Sequence, residues 1–203
     1  MNTRDHWETA WSTRKTQEQS WFQQKPEQSL SMIHRTAIKP DSPIIDVGAG
    51  TSRLVDFLLD ENFQDLTALD ISSVAIREDK RRLGARASRV HWMVQDVLTF
   101  VPARQYALWH DRAVFHFLTG EQDQQLYADV LRCALQKGGQ VIIATFSPDG
   151  PKQCSGLQVV RHTSESLGQI LGEDFRLQEQ AEEDHLTPAG NLQRFGYTRF
   201  VYG

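Results

Sequence analysis

The sequence predicts an α/β protein with a doubly wound, seven-stranded sheet that is mostly parallel and ends in an antiparallel hairpin. Two observations support this fold class. Up to Phe146, five short apolar segments alternate with helical patterns, and strands that alternate with helices form parallel sheets. After Phe146 the pattern changes to one helix and two strands, Phe175–Glu183 and Gln193–Tyr202, with a turn at 187–191 between them.

The first predicted strand, Ile44–Val47, is followed by a loop of small residues and a helix from about Ser52 to Asp60. The other strands before the hairpin are predicted at Leu66–Asp70, Val90–Val94, Tyr106–Trp109 and Val141–Phe146. The later helices are a helix capped by Ser72, a short one at Ala113–Leu118, a long one at Glu121–Gln136 that Lys137-Gly138-Gly139 would end, and one at Thr163–Leu171.

The composition restricts the class of protein. The chain has 203 residues, of which 39% are hydrophobic and 24% charged, with a net charge of −4. No apolar run has the length of a membrane span, and the first residues lack the apolar core of a secretory signal. The two cysteines, Cys133 and Cys154, have no zinc-site spacing. We therefore expect one cytoplasmic domain over 1–203, a monomer or homodimer, with no metal, membrane or nucleic-acid partner.

Residues 1–27 are polar but carry several aromatic side chains, namely Trp7, Trp11, Trp21 and Phe22. Two interpretations remain open. The aromatic residues pin an N-terminal helix to the core, or they form a lid that closes over a ligand. We therefore divide the chain into a lid segment, 1–27, and a core, 28–203.

Acidic and small residues follow the predicted strands. Asp46 ends the first strand, and Gly48 and Gly50 allow the backbone to approach a ligand closely. Asp70 lies about twenty residues beyond this loop, where a carboxylate can bind ribose hydroxyls. Asp96 ends the third strand. Because the carboxyl ends of parallel strands form the ligand site of an open α/β sheet, these residues predict a nucleotide-type site.

From residue 28 onward the chain resembles the class I S-adenosylmethionine-dependent methyltransferases. Their first motif matches Asp46-x-Gly48-x-Gly50-x-Ser52, although Ser52 stands where the family most often has glycine. The resemblance implies a Rossmann-like fold, S-adenosylmethionine as cofactor, Asp70 on the ribose and Asp96 on the adenine amine. The remaining cofactor contacts that it implies are Trp21, Ala49, Ile71, Val97 and His110.

Two residues are candidates for a catalytic role. His110 follows the fourth strand, where the family places residues next to the methyl donor, and Asp111 and Arg112 beside it are expected to form a structural ion pair. Cys154 lies in the loop after the fifth strand, which usually lines the acceptor pocket; its thiol either binds a soft substrate or packs in the core. His116 is expected to be a core histidine with satisfied hydrogen bonds.

The C-terminal part resembles the bacterial tellurite-resistance methyltransferases, which act on small oxyanions of chalcogens. The matching residues are Cys154, Gly156, His185, Thr187, Gly190 and Asn191. The loop Gly50-Thr51-Ser52 is also similar to a branch that contains protein-lysine methyltransferases. The expected activity is thus methyl transfer to a small-molecule acceptor such as a soft chalcogen or thiol. The alternatives are a protein-lysine methyltransferase and a cofactor-binding interaction protein that has lost turnover.

Overall fold

The computed structural model describes residues 3–13 and 15–203, so Met1, Asn2 and Arg14 of the predicted lid lie outside the described residues. The helices are α1 Thr3–Thr13, α2 Glu27–Arg35, α3 Leu54–Asp60, α4 Ser73–Leu83, α5 Glu121–Ala134 and α6 Ser164–Leu171. The strands are β1 Ile44–Val47, β2 Leu66–Asp70, β3 Val90–Val94, β4 Tyr106–Arg112, β5 Leu135–Phe146, β6 Gln153–Cys154, β7 Leu157–Gln158, β8 Phe175–Leu186 and β9 Leu192–Tyr202.

The predicted fold class is confirmed. Seven strands form one sheet in the order β3-β2-β1-β4-β5-β9-β8. Strands β1 to β5 pair in parallel, and β9 runs antiparallel to both β5 and β8. The direction in which the chain adds strands reverses between β1 and β4, so the carboxyl ends of these two strands flank the crevice where such sheets bind ligands.

Each face of the sheet has its own buried layer. Consecutive residues of a strand point to opposite faces, and Ile44 and Ile45 of β1 accordingly belong to different clusters. Ile44 packs with Ile33 of α2 and Leu58 of α3. Ile45 belongs to the layer of α5 and α6, which includes Leu131 and Leu171. Both faces of the central strands are therefore covered, which explains their continuous apolar sequences.

The predicted end of the long helix was wrong. Helix α5 ends at Ala134, and β5 begins at Leu135, so Lys137-Gly138-Gly139 belongs to a strand and does not cap a helix. Gly138 has a φ of +75°. The pairing of β4 with β5 shifts register between Tyr106 and Leu108, as in a β-bulge. The glycines thus permit an irregular strand. Because glycine is also common at the end of a helix, the sequence does not distinguish the two structures.

Further boundaries differ from the sequence prediction, among them the end of β8, which runs to Leu186 and not to Glu183. Helix α3 begins at Leu54, two residues later than expected. Strand β4 continues through His110 to Arg112, and the predicted helix at Ala113–Leu118 is only a 3-10 turn at Phe115–Phe117. The first of these residues, Ala113, has a φ of +71°, which is incompatible with the start of a right-handed helix.

A small antiparallel hairpin, β6–β7, lies in the long loop after β5 and was not predicted from the sequence. Its turn residues, Ser155 and Gly156, have φ values of +52° and +79°, which suit a tight two-residue turn. The hairpin buries Cys154 while leaving Gln153 exposed. Within residues 3–13 and 15–203, no helix is both long and apolar enough to cross a membrane.

Candidate functional site

The loop after β1 has the backbone shape that its glycines predict. Gly48 and Gly50 have φ values of +63° and +55°. A Cβ atom on Gly48 would lie 2.0 Å from Val114 Cγ2, and one on Gly50 would lie 2.7 Å from Trp11 Cζ2. Both positions therefore require glycine for their conformation and for the close approach of other side chains.

Arg82 of α4 fixes this loop through hydrogen bonds to its backbone. Its guanidinium donates hydrogen bonds to the carbonyl oxygens of Thr51 and Ser52, at 3.0 and 2.9 Å. Nη2 of Arg82 also forms ion pairs with Asp56 and Asp79, at 2.8 and 2.9 Å. The loop is thus fixed by α3 and α4 in addition to its own torsion angles.

Asp70 connects the glycine loop to the next helix. Its two carboxylate oxygens accept hydrogen bonds from the backbone N–H groups of Gly50 and Ser72, both at 2.7 Å. Burial raises the pKa of Asp70 to about 6, although these two hydrogen bonds offset part of the effect. Ser72 caps α4 as predicted, since its Oγ accepts from the N–H of Ala75. Asp70 therefore organises two turns at the edge of the site.

Helix α1 covers this edge. Glu8 accepts hydrogen bonds from Ser72 Oγ at 2.8 Å and from the N–H groups of Ser73 and Val74 at 2.8 and 3.1 Å. Burial acts to raise the pKa of Glu8, but these hydrogen bonds outweigh it and lower the pKa. The carboxylate thus adds a second cap to the N-terminus of α4, and it anchors α1 beside Asp70.

Two adjoining cavities lie under α1 and the segment that follows it. The first has a volume of about 200 Å³, and among its lining residues are the predicted Trp21, Gly48, Asp70, Ile71, Asp96, Val97 and Cys154. The second has a volume of about 50 Å³, and it includes the predicted Trp21, Asp46, Gly48, Ala49, Gly50, Ser52 and His110. Every predicted site residue therefore lines one cavity or both. A larger groove of about 790 Å³ outside α1 contains none of the strand-end acids.

Aromatic rings close the larger cavity. Trp7 contacts Trp21 and Phe117 edge to face, with ring centroids 5.9 and 5.0 Å apart. Trp11 contacts Trp21 in the same way at 5.4 Å. Because these residues come from α1, the following loop and the turn after β4, the cavity wall is assembled from three separate segments.

His110 lies inside β4 and is buried between two polar partners. Its Nδ1 lies 2.7 Å from Asp46 Oδ1, and its Nε2 lies 2.9 Å from Ser29 Oγ of α2. All three side chains are buried, with relative exposures of 2% for His110, 4% for Asp46 and 0% for Ser29. Both ring nitrogens are therefore engaged with the protein.

The expected ion pair between Asp111 and Arg112 does not form, because neighbouring strand residues point to opposite faces. Asp111 accepts hydrogen bonds from Tyr127 Oη at 2.6 Å and from the Val114 N–H at 2.9 Å. Burial raises the pKa of Asp111 to about 6 against the effect of these bonds. Asp111 thus has the structural role that was expected, but with other partners.

Arg112 points toward the two cavities and lines both of them. Its Nε donates to Tyr197 Oη at 3.0 Å, and its Nη1 donates to the Trp21 carbonyl oxygen at 3.1 Å. The guanidinium lies 4.4 Å from the centroid of the Phe195 ring, and its Nη2 lies 3.6 Å from Glu183 Oε2. Arg112 thus joins the loop that carries Trp21 to the β8–β9 hairpin.

The loop that carries Trp21 has two more anchors on β8. Gln23 donates a hydrogen bond to Glu183 at 2.7 Å, and the His185 Nε2–H donates to the Ser20 carbonyl oxygen at 2.7 Å. His185 lies near the end of β8, beside the turn of the hairpin. It pairs with Gln193 across the hairpin, but its ring reaches the loop from the N-terminal segment.

Burial moves the pKa values of two other buried residues, Cys154 and His116, far from neutral pH, so neither changes its charge near pH 7. Burial raises the pKa of the Cys154 thiol to about 12, and the charge of Arg112 offsets only part of this. Burial lowers the pKa of His116 to about 3. His116 lies in the core as expected. Neither of its ring nitrogens has a hydrogen-bond partner among the described residues, however, so the expected hydrogen bonds are absent there.

Sequence analysis missed Glu8, Ser29, Arg82 and Tyr197, which support the site from α1, α2, α4 and β9. Each reaches its partner across at least 30 residues of sequence. The capping pattern at Ser72 was visible in the sequence, but no local pattern shows that Glu8 adds a second cap.

The smaller cavity fits a ligand that carries a positive charge. Asp46 Oδ2 is buried and has no hydrogen-bond partner in the described part of the chain. A buried carboxylate oxygen that lacks a donor is unfavourable by itself. The larger cavity provides apolar walls and the strand-end acids Asp70 and Asp96. A molecule with an ammonium group at one end and a nucleoside at the other, such as S-adenosylmethionine, meets these requirements.

Comparison with known proteins supports this assignment. Residues 44–139 match a family model described as a methyltransferase domain. The chain is 28% identical over 151 residues to the mouse (Mus musculus) protein "eEF1A lysine and N-terminal methyltransferase". This alignment covers 70% of the chain but only 21% of the mouse protein. The chain thus spans about a fifth of the length of this relative.

Solved structures share the fold at low identity. A structure titled "Conversion of a Disulfide Bond into a Thioacetal Group during Echinomycin Biosynthesis" has a TM-score of 0.79, 17% identity, and coverage of 99% of this chain and 92% of that chain. The N-methyltransferase NodS from Bradyrhizobium japonicum, in complex with S-adenosyl-l-homocysteine, has a TM-score of 0.73, 16% identity, and coverage of 98% and 99%. The match of residues 44–139 to a methyltransferase domain and the fold shared with these structures support a methyltransferase enzyme with S-adenosylmethionine as cofactor.

Proposed function

We propose that the protein, as a single domain, transfers the methyl group of S-adenosylmethionine to a small-molecule acceptor such as a soft chalcogen or a thiol. The observation that carries this proposal is the covered cavity of about 200 Å³, which has Asp70 and Asp96 among its lining residues together with Trp7, Phe117 and Cys154. Aromatic rings and a neutral thiol suit a small, polarisable acceptor.

The cofactor-binding roles divide between the two cavities. In the larger one, Asp70 would accept from the ribose hydroxyls and Asp96 from the adenine amine, with Ile71 and Val97 against the base. In the smaller one, Asp46 would hold the ammonium group, and the other contacts would come from Trp21, Gly48, Ala49, Gly50, Ser52 and His110. The cofactor supplies an electrophilic methyl group on a sulfonium.

The protein's contribution to the reaction is orientation and exclusion of water. Trp21 lines both cavities, so it lies where they join. The Cys154 thiol stays protonated near neutral pH because burial raises its pKa to about 12. It would therefore contact the acceptor as a neutral, polarisable group. His110, with both nitrogens engaged, would contribute by holding its neighbours in place.

Residues 1–27 act as a lid in this proposal. Glu8 and Trp11 attach α1 to α4 and to the glycine loop, and Gln23 and the Trp21 carbonyl oxygen attach the following loop to Glu183 and Arg112. A covered site excludes water from the reacting groups. The same cover restricts the size of the acceptor.

The second candidate function is methylation of protein lysine. The similarity to the mouse eEF1A lysine and N-terminal methyltransferase favours it. It would need an acidic groove for a basic peptide, and the sequence offers Glu182, Glu183 and Asp184 for this. Glu183, however, accepts from Gln23 and Tyr197, and Asp184 is paired with Arg194. This engagement of two of the three acids supports the small acceptor over the peptide.

Calorimetry with S-adenosylhomocysteine tests cofactor binding. We expect saturable heat and, at about 100-fold excess over Kd, a rise in Tm of about 5–10 °C. Absence of both signals would contradict the proposal. Transfer of a radiolabelled methyl group to selenite, tellurite and thiols should then exceed transfer to denatured and native lysate proteins. Preferential labelling of proteins would favour the lysine alternative.

A further inference from the structure

We propose that Ser29 is a positioning residue for the cofactor site: through His110 it aims the free oxygen of Asp46 at the part of the cavity that takes the methionine end of the cofactor. This assignment rests on the proposed function. It concerns a residue of α2 that lies well away in sequence from the glycine loop.

The hydrogen-bond geometry fixes the order of the three side chains when the His110 ring is neutral, whereas in an imidazolium both ring nitrogens would donate. A carboxylate can only accept, so the His110 Nδ1 that lies 2.7 Å from Asp46 Oδ1 must carry a hydrogen. In the neutral ring, Nε2 then accepts from the Ser29 hydroxyl at 2.9 Å. Donation therefore runs from Ser29 to His110 and from His110 to Asp46. The hydroxyl of Ser29 selects the ring tautomer that Asp46 needs.

The result at Asp46 is an asymmetric carboxylate. Oδ1 is held by His110, whereas Oδ2 is buried and has no partner in residues 3–13 and 15–203. Asp46, His110 and Ser29 all line the smaller cavity of about 50 Å³. Without the hydrogen bond to His110, the Asp46 carboxylate could take other χ2 angles, at which neither oxygen is aimed at the same point of the cavity. The chain of hydrogen bonds thus preorganises one acceptor for an ammonium group.

Ser29 is itself held in place. It is fully buried, and its Oγ lies 3.5 Å from Tyr197 Oη, which in turn accepts from Arg112 Nε at 3.0 Å. Tyr197 donates to Glu183 at 3.1 Å. Because the Ser29 hydrogen points to His110 and the Tyr197 hydrogen to Glu183, the two hydroxyl oxygens are in contact without a hydrogen bond, and the positioning chain lies beside the network around Arg112 that anchors the Trp21 loop.

Two ligands that differ only at the methionine end provide the test. S-adenosylhomocysteine carries the amino-acid group, and 5′-methylthioadenosine lacks it but retains the adenosine and the sulfur. We expect Ser29→Ala to weaken S-adenosylhomocysteine about 10-fold while the Kd for 5′-methylthioadenosine stays within about twofold. Ser31→Ala, on the same helix but away from both cavities, is the matched control and should change neither value.

A double-mutant cycle shows whether Ser29 acts through Asp46. In an Asp46→Asn background, Ser29→Ala should cause little further loss of S-adenosylhomocysteine affinity, because the carboxylate that it positions is gone. Additive losses would overturn the proposal. So would an equal loss of both ligands in Ser29→Ala, which indicates a structural defect, or no loss of either.

The hydrogen bonds can also be observed without ligand. Nitrogen NMR of the His110 imidazole should show a protonated Nδ1 and an accepting Nε2 in the wild type, and Ser29→Ala should shift the Nε2 resonance. An Nε2–H tautomer in the wild type would overturn the assignment. If the wild type binds neither ligand, the proposed function fails; if it binds both and Ser29→Ala binds them equally well, only the role of Ser29 fails.

Discussion

In the proposed function, the cofactor half of the site and the acceptor half, by which we mean the wall around Trp21 and its anchors on β8, are built in different ways. The cofactor half consists of turns at the ends of β1, β2 and β3, where short-range backbone geometry places the polar groups. Ser72, for example, donates to Asp70, which lies two residues before it. The acceptor half is assembled from side chains of distant segments. Gln23 meets Glu183 across 160 residues, and Ser20 meets His185 across 165.

This difference explains why the donor is easier to identify than the acceptor. A turn that binds a cofactor needs glycine and an acid at fixed spacings, which remain visible in the sequence. A cavity wall needs only side chains of suitable shape from any segment that reaches it. Trp7, Trp21 and Phe117 form such a wall, but their spacing in the sequence does not predict their contact.

The largest effect should come from breaking the cofactor half at Gly48. Alanine there must adopt a φ of +63° and would place its Cβ 2.0 Å from Val114 Cγ2. We expect Gly48→Ala to weaken S-adenosylhomocysteine about 1,000-fold, which corresponds to about 4 kcal/mol. Calorimetry gives the Kd directly.

Gly84 provides the matched control for Gly48. It has a similar φ of +58° but no atom within 4 Å of an added Cβ. Gly84→Ala should cost about 1–3 kcal/mol in the free energy of unfolding and leave the Kd unchanged. If both variants bound equally well, the close approach at Gly48 would have no role in binding.

A smaller effect concerns the ionisation of Asp70. Burial raises its pKa from 3.8 to about 6, so the stability that it contributes is fully present below pH 4 and is lost as the pH rises through 6. The loss should approach about 3 kcal/mol. Urea unfolding of the wild type and of Asp70→Asn should show that their stability difference shifts by this amount, against the wild type, between pH 4 and 7. A difference that stays constant with pH would contradict this prediction.

The smallest effect should come from the acceptor half, where several hydrogen bonds together hold the Trp21 loop against β8. Gln23→Leu removes the 2.7 Å hydrogen bond to Glu183 and should cost about 1 kcal/mol. Amide exchange of residues 19–24 should accelerate, and because Gln23 lines the smaller cavity, the S-adenosylhomocysteine Kd should rise slightly, far less than in Gly48→Ala. Gln178→Leu, on the exposed face of the same strand β8, is the control and should leave that exchange rate unchanged.

The fold class and the strand-end acids that line the cavities were predictable, because apolar periodicity and strand-end acids are local signals. Boundaries were less predictable where one residue type serves two structures. Gly138 and Gly139 suggested a helix end, yet they lie in an irregular strand. The partners of Arg112 were not predictable, since Tyr197, Glu183 and Trp21 are brought to it only by the completed sheet and the N-terminal loop.

The contacts of Ser20 and Gln23 with β8 have a consequence for how the molecule folds. Contacts between segments 160 and 165 residues apart require closure of a very long loop, and the entropy of that closure is recovered only after the intervening sheet exists. We expect refolding to be biphasic. The nucleotide-binding turns would acquire protection from exchange early, and the wall around Trp21 would acquire it last. During synthesis the acceptor side would remain open until β8 and β9 have been added to the sheet.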